Sequence, residues 1–427
     1  MIVLVSLEVF AILYFRTIHL HRSNDVSEIT KPMDAAATPA ATVTAAPIGE
    51  QSSSSSSSQP FYTVAHLGNS IQYYNDFPRV LEQMLLSTAL GRVADLDLDC
   101  CPEEQQTNRK NPLVVSESCL RGGATISSLW EEGNGMANKF ASRPQSIRKG
   151  DGIYDIGAPS VLDLLQQRNC KTVRSSSSVI INSNCYWDFI IINDHTQSPV
   201  RSERKEESKT ALETHYLPAI AKGLELTPNN DSSTMTGFST VVFVQTMAYK
   251  TPVKNSDDLG SFDDFTNALA KGYDEYVSLV EDFALRYPRL LATVAPLGRA
   301  YQVIRNEHFD LWSNSMYAND DFHPSPHGTW LEACLLHCIV THGQKFALFD
   351  HNGENDDENE NDDDSMEIWW KQARYLQPST NANGDSQEPL RLPTRAEAVL
   401  LNDIAYRVYL ERQVIEKAVK NNTGSKL

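Results

Sequence analysis

Apolar residues along this chain fall into two spacings, and their alternation predicts a fold. Short unbroken runs at Tyr62–Val64, Leu113–Val115, Phe189–Ile192, Thr240–Val244 and Ala292–Ala295 read as strands buried on both faces. Between and after them, segments 77–90, 209–224, 262–286 and 328–340 repeat apolar residues at helical spacing. Strands that face water on neither side need helices above and below. The expected fold is therefore α/β, a three-layer α/β/α arrangement around a mainly parallel five-stranded sheet. Further on, Leu392-Pro-Thr-Arg-Ala-Glu397 has the form of a capping box and predicts a last helix running to about Arg412.

Outside these segments the pattern changes. Residues 1–22 open with an apolar run from Met1 to Phe15, interrupted by Glu8 and followed by Arg16, His19, His21 and Arg22. This reads as a signal-anchor or signal-like segment that partners a membrane, although about 15 residues is short for a full span. The expected location is the secretory pathway or cell surface, single-pass, with the domain lumenal or extracellular. The charges trailing the apolar run favour the opposite topology, so this expectation supposes basic residues ahead of Met1. Residues 23–59, rich in Ala, Thr, Pro and Ser with an unbroken run from Ser52 to Ser58, have little to bury and read as a linker. The domain proper is expected over 60–412, with an acidic disordered insertion at about 350–388 and a polar tail at 413–427.

Charge sharpens that division. The 427 residues carry a formal net charge of -18, from 37 basic and 55 acidic side chains. Such a balance argues against a nucleic-acid surface. Half of the excess lies in residues 350–364, which hold nine acidic side chains and no Lys or Arg. A block of like charge repels itself and is expected to be solvated, and its spacing does not fit an EF-hand loop. The seven cysteines leave the compartment open: Cys170 and Cys185 flank a Ser-rich insert that they could clip, and Cys334 with Cys338 reads as buried packing in an apolar helix. Sequons at Asn230 and Asn421 would be available to a lumenal domain.

Candidate chemistry sits at the ends of the predicted strands, where open parallel sheets bind their ligands. Ser70 follows the first strand, Gly122-Gly123 the second, and Asn193 ends the third. Some 250 residues beyond Ser70, Asp320 and His323 stand three apart just before a helical segment. A serine hydroxyl becomes a useful nucleophile when an imidazole takes its proton and a carboxylate fixes that imidazole's tautomer. His323 and His327 also invite a metal reading, but Pro324 and Pro326 prevent a regular helix there, so no metal or other cofactor is expected. His195, beside Asn193, reads as a pocket wall.

In these residues the chain resembles the SGNH (GDSL-like) hydrolase superfamily, and more closely a branch whose first block reads Gly-Asn-Ser-Phe-Thr-Tyr-Tyr-Asn-Asp-Leu-Pro. Here that block is Gly68-Asn-Ser-Ile-Gln-Tyr-Tyr-Asn-Asp-Phe-Pro78. Further blocks similar to the branch are Gly122–Thr125, Trp187–Asn193, Gln245–Ala248, Ala295–Ala300 and Asp320–Ala333, so the likeness spans about 61–412. The resemblance implies Ser70 as nucleophile, His323 as base and Asp320 as its orienting carboxylate. It implies an oxyanion hole built from the backbone N–H groups of Ser70 and Gly123 and the side-chain amide of Asn193. Two departures are visible: Asn69 stands where the superfamily has Asp, and Asn193-Asp194 stands where the branch often has Gln-Glu.

The implied activity is a serine esterase that removes acetyl or other short acyl groups from a carbohydrate or related ester through an acyl-enzyme. Tyr73, Tyr74 and Trp330, with Trp130, are the aromatic residues expected to stack on sugar rings. The alternatives are a membrane-anchored polysaccharide O-acyltransferase, or a carbohydrate-binding domain that kept the pocket and lost the chemistry. The expected partner is a small-molecule or polysaccharide ester.

Overall fold

Each strand falls on one of the apolar runs, and all but Phe189–Ile192 extend beyond theirs, because hydrogen-bonded neighbours hold residues that propensity alone would leave out. A computed structural model describes residues 62–94, 114–138, 156–166, 172–174, 179–181, 187–225, 238–251, 257–348, 364–370, 373 and 390–424. The strands of the main sheet are β1 (Tyr62–Gly68), β2 (Val114–Leu120), β3 (Phe189–Ile192), β4 (Ser239–Val244) and β5 (Leu290–Ala295). They lie in the order β2-β1-β3-β4-β5, and every pairing is parallel. A separate antiparallel hairpin joins Thr172–Arg174 to Val179–Ile181, a feature the apolar pattern does not predict.

Alternation along the strands divides the interior in two. Val64, Ile191, Val242 and Val244 point into one apolar cluster, while Ala65, Leu67, Ile190, Ile192, Val241 and Phe243 point into the other. The first face is covered by α2 (Phe77–Ala94), α8 (Leu297–Glu307), α10 (Pro326–Val340) and α12 (Arg395–Gly424). The second is covered by α3 (Ile126–Glu132), α4 (Val161–Gln166), α5 (Ser202–Ala211), α6 (Leu217–Glu225) and α7 (Phe262–Ala284). The fold is thus the expected three-layer α/β/α sandwich. Each fully buried Leu or Phe side chain contributes about 2 kcal/mol to holding its layers together.

Two helices stand out by composition. All 15 residues of α10 are buried, so it is enclosed on every side, and it packs between α2 and α12. Its start is fixed by Ser325, whose hydroxyl accepts from the N–H groups of His327 and Gly328, with Pro326 in the first turn. The segment expected as a helix over 209–224 is helical throughout, α5 running into α6 through a π-turn at Leu212–Tyr216 that keeps Leu212 and Tyr216 both buried.

Other expectations need correction. The last helix passes Arg412 and reaches Gly424, so 413–427 is for the most part helix and not tail. Within the expected insertion, α11 (Asp364–Glu367) and the 3-10 turn Ile368–Trp370 fold onto the first core, burying Met366, Trp369, Trp370 and Ala373. The reason is the aromatic pair: two tryptophans bury enough apolar area to overcome the solvation of the acidic residues before them. Cys119, Cys334 and Cys338 are free and buried. Among the described residues no helix is long and apolar enough to cross a membrane. The N-terminal segment, the linker, residues 350–363, the Cys170 and Cys185 pair and Asn230 lie outside the described residues.

Candidate active site

The chain leaves β1 for β2 on one side of the sheet and returns to β3 on the other, so the order reverses between β1 and β3. The crevice at such a point, past the carboxyl ends of the strands, is where an open α/β sheet exposes loops and helix starts together. Ser70 and Asn193 stand on its two walls.

Ser70 opens the four-residue helix α1 (Ser70–Tyr73), directly after Gly68 ends β1. Ile71, Gln72 and Tyr73 are buried, so Ser70 is the one residue of that helix with partial access to solvent. Asn69 caps the helix: its Oδ1 accepts from Ile71 N–H at 3.2 Å. Its other bonds explain why an amide stands at this position. Asn69 Nδ2 donates to the Ala124 carbonyl at 2.9 Å, which a carboxylate could not do. Asn69 N–H donates to Asn193 Oδ1 at 3.2 Å, and Asn193 Nδ2 returns a bond to Asn69 Oδ1 at 2.7 Å. Gly68 makes room for this cross-pair, since a Cβ there would lie 1.8 Å from Asn193 Oδ1.

That arrangement revises the expected part of Asn193. Its second amide hydrogen goes to the Asp194 carbonyl at 3.2 Å, so both are committed within the protein, and the residue is 1% exposed. Asn193 ties β3 to the start of α1 and has no hydrogen left to offer an oxyanion. The N–H groups of Ser70 and Gly123, by contrast, make no hydrogen bond among the described residues. Gly123 is exposed, with a left-handed φ of 69° and nothing within 4 Å of where a Cβ would be.

Asp320 and His323 belong to the loop between α9 (Phe309–Ser315) and α10. Asp320 Oδ2 lies 2.6 Å from His323 Nδ1, while Oδ1 accepts the N–H groups of Phe322 at 3.2 Å and His323 at 3.0 Å. Burial pushes the Asp320 carboxyl up, but the His323 side-chain bond, the imidazole's charge and the two backbone donors outweigh it and hold it below the usual carboxylate range. The adjacent Asp321 turns away on a left-handed φ of 62° to pair with Lys250 Nζ at 3.2 Å. Among the described residues, neither Ser70 Oγ nor His323 Nε2 has a hydrogen-bond partner.

The aromatic residues divide. Tyr74 stacks on the His323 ring, centroids 3.8 Å apart and planes 12° apart. Tyr73 is 5% exposed and packs with Leu120 and Met136. Trp330 is fully buried, with Nε1 donating to the Ala398 carbonyl, and sits against Trp369 and Trp370. Trp130 stacks on His215. Tyr73 and Trp330 therefore serve the core, not substrate, because residues facing inward from α1 and α10 close their layers against the sheet and α12.

Several contributors carried too little signal to be singled out. Asp194 is fully buried beneath the crevice, where its Oδ1 accepts from Ile126 N–H at the start of α3 and from His195 N–H, and its Oδ2 from the Tyr276 hydroxyl. Burial pushes its carboxyl up against the pull of these donors. His195 lies close enough to His323 to feel its charge; burial, then Arg204, then His323 push its imidazole down. His327 turns away from His323 to Glu397, and among the described residues no cluster of three His, Cys, Asp or Glu side chains suits a metal ion.

No family model and no curated protein matches the chain. Among solved structures, it is similar to a DUF4886 family protein from Bacteroides uniformis, at 14% identity and a TM-score of 0.35, covering 74% of this chain and 92% of that one. It is also similar to a gut microbial diltiazem-metabolizing enzyme, at 14% identity and a TM-score of 0.29, covering 67% of this chain and 48% of that one.

Proposed function

We propose that this protein is a serine hydrolase of SGNH type that cleaves short-acyl esters. The observation that carries the reading is the 2.6 Å Asp320–His323 pair, whose imidazole lies against Tyr74, four residues beyond Ser70 on the same segment. In this reading Ser70 Oγ attacks the ester carbonyl as its proton passes to His323 Nε2. The carbonyl oxygen becomes an anion, and the Ser70 and Gly123 N–H groups stabilise it. Fixed donors of this kind lower a barrier by about 3 kcal/mol each. The Asp320 carboxylate stabilises the imidazolium, which then protonates the departing alcohol as the tetrahedral intermediate collapses to an acyl-serine. Water, deprotonated by His323, attacks the acyl-serine, and the imidazolium returns the proton to Ser70 Oγ as the acid departs. Serine–histidine hydrogen bonds are often long before substrate binds and tighten in the complex, so both atoms can stand unpartnered in the resting protein.

The carbohydrate part of the expectation loses its aromatic platform, with Trp330 and Tyr73 in the core and one face of Tyr74 against His323. The proposal accordingly stops at the acyl group. Turnover of p-nitrophenyl acetate tests it. Activity is expected in the wild type and lost by about 1,000-fold or more in Ser70→Ala and in His323→Ala while both stay folded. A folded wild type that neither turns over the ester nor forms an adduct with a fluorophosphonate overturns the reading.

A further inference from the structure

The turn between Ser70 and α2 is held by contacts from outside its own segment. Asn75 and Asp76 are adjacent, buried and both left-handed, at φ of 52° and 49°. A non-glycine residue in that region costs about 1 kcal/mol or more and persists where the surroundings determine it. The surroundings here are the loop that carries the base. Asn75 Nδ2 donates to the Pro324 carbonyl, one residue past His323, at 3.2 Å, and to Thr329 Oγ1 in the first turns of α10 at 3.1 Å. The left-handed turn places this amide on that loop. One residue earlier, the Tyr74 ring covers a face of the imidazole at van der Waals distance. Phe322 lies tilted against the same imidazole with centroids 4.1 Å apart.

We propose that Tyr74 and Asn75 are positioning residues that lock the nucleophile's helix to the base's loop. The inference rests on the serine-hydrolase reading and assigns Tyr74 to His323, where the sequence suggested a substrate platform. Asp320 fixes the Nδ1 edge of the imidazole, Tyr74 fixes its plane, and Asn75 fixes the backbone that carries it. All three restraints bear on where Nε2 stands, and two of them come from the segment that begins at Ser70. Misplacement of a reacting group by about 1 Å can cost on the order of 100-fold in rate.

The test compares Tyr74→Leu, Tyr74→Phe, Asn75→Gly and Ser70→Ala in the full chain with p-nitrophenyl acetate. Tyr74→Leu is expected to lower kcat by about 10- to 100-fold with KM within about twofold, and Tyr74→Phe, which keeps the stacking face, to restore most of kcat. Asn75→Gly removes the amide but relieves the left-handed strain, so kcat should fall by about 10-fold with no loss of thermal stability. The labelling rate of Ser70 by a fluorophosphonate should fall in step with kcat. A loss in KM alone for Tyr74→Leu makes Tyr74 a substrate platform and overturns the proposal. So does unchanged kcat in Tyr74→Leu and Asn75→Gly while Ser70→Ala is inactive, an outcome that leaves the hydrolase reading standing. An inactive, unlabelled wild type removes that reading, and the positioning roles with it.

Discussion

Two histidines four residues apart each meet a carboxylate, and the chemistry of the two pairs differs because of where their other nitrogens point. His323 meets Asp320 through Nδ1 at 2.6 Å and lies at the crevice, 8% exposed, its Nε2 free of any partner among the described residues. His327 meets Glu397 through Nε2 at 3.2 Å, is 1% exposed, and keeps Nδ1 buried without a partner among the described residues. One pair has an outlet for a proton and the other has none. A histidine–carboxylate contact is common to bases and to structural ties, and only access at the far nitrogen separates them. Glu397 shows the structural role in its other bonds: it takes Thr394 N–H and Oγ1 in the capping box of α12 and both guanidinium arms of Arg391.

The largest effect expected from this contrast comes from removing the charge at each carboxylate in turn. Asp320→Asn should lower kcat by roughly 10,000-fold with little change in melting temperature, because an amide at that position favours the wrong imidazole tautomer. Glu397→Gln should leave kcat within about twofold. Equal effects of the two changes on kcat would break the comparison.

Much of this contrast was legible in residue order, and the rest was not for physical reasons. The apolar runs announced all five strands of the main sheet, since a strand covered by helices on both faces carries an apolar run even where polar residues extend it. Helices α3, α4, α8 and α9 escaped notice: they are short or half-exposed, and α9 carries the polar residues of Phe309–Ser315 around a single buried Trp312. Asp320 and His323 stand three apart, and it was the family resemblance that selected Asp320 over the adjacent Asp321 as the partner. The Asn69–Asn193 cross-pair joins residues 124 apart and depends on strand order, which no local pattern encodes. Asn75 was within reach, because asparagine is among the residues that tolerate a left-handed backbone, but nothing local said what its amide would hold. Trp330 was misread because an aromatic residue near a site looks the same in sequence whether it faces the crevice or the core.

A third titratable group sharpens the contrast by lacking both a partner and an outlet. Glu332, on α10 with His327, is fully buried with neither carboxyl oxygen bonded among the described residues, and burial pushes its carboxyl well up. The folded protein keeps it protonated where the unfolded chain, with an ordinary value near 4.3, has already ionised it. Its cost therefore sets in as pH rises above about 4 and grows toward its folded value. Glu332→Met should add about 2 kcal/mol of stability at pH 8, a rise of roughly 4 °C in melting temperature, and almost none at pH 4. A gain independent of pH would mean that the side chain's shape, and not its ionisation, sets the cost.

His327 should show a smaller dependence running the other way. Burial, and after it the Arg391 charge, push its imidazole down against the pull of Glu397, so it stays neutral in the fold. Below about pH 6.5 the unfolded chain takes up a proton that the fold refuses, and stability falls. His327→Leu should cost about 1.5 kcal/mol at pH 8 through the lost bond to Glu397, and the gap should narrow by pH 5.5 as the wild type weakens. Activity is expected within about twofold of wild type throughout, and a loss comparable with that of His323→Ala would place His327 in the site.

The smallest effect, and the most specific, belongs to Glu397. Burial pushes its carboxyl up, but Arg391, Thr394 N–H and His327 together pull it down to about 2. A carboxyl lowered on folding stabilises the protein above its unfolded value near 4.3, and that contribution is lost as pH falls through about 2. The Glu397 side chain is 24% exposed and its Arg391 partner more so, and screening reduces what the full shift would imply to about 1 kcal/mol. Glu397→Gln should lower the denaturant midpoint at pH 7 by that amount, with a difference that shrinks steadily between pH 4.5 and pH 2. Adding 1 M salt should weaken it at pH 7 as well, since the Arg391 contact is exposed, while the hydrogen bond that caps α12 survives. If salt instead leaves the full difference in place, Glu397 acts chiefly as a cap and its charge contributes little. The neutral His327 then donates a hydrogen bond to a capping carboxylate, and the difference of this pair from Asp320 and His323 is wider still.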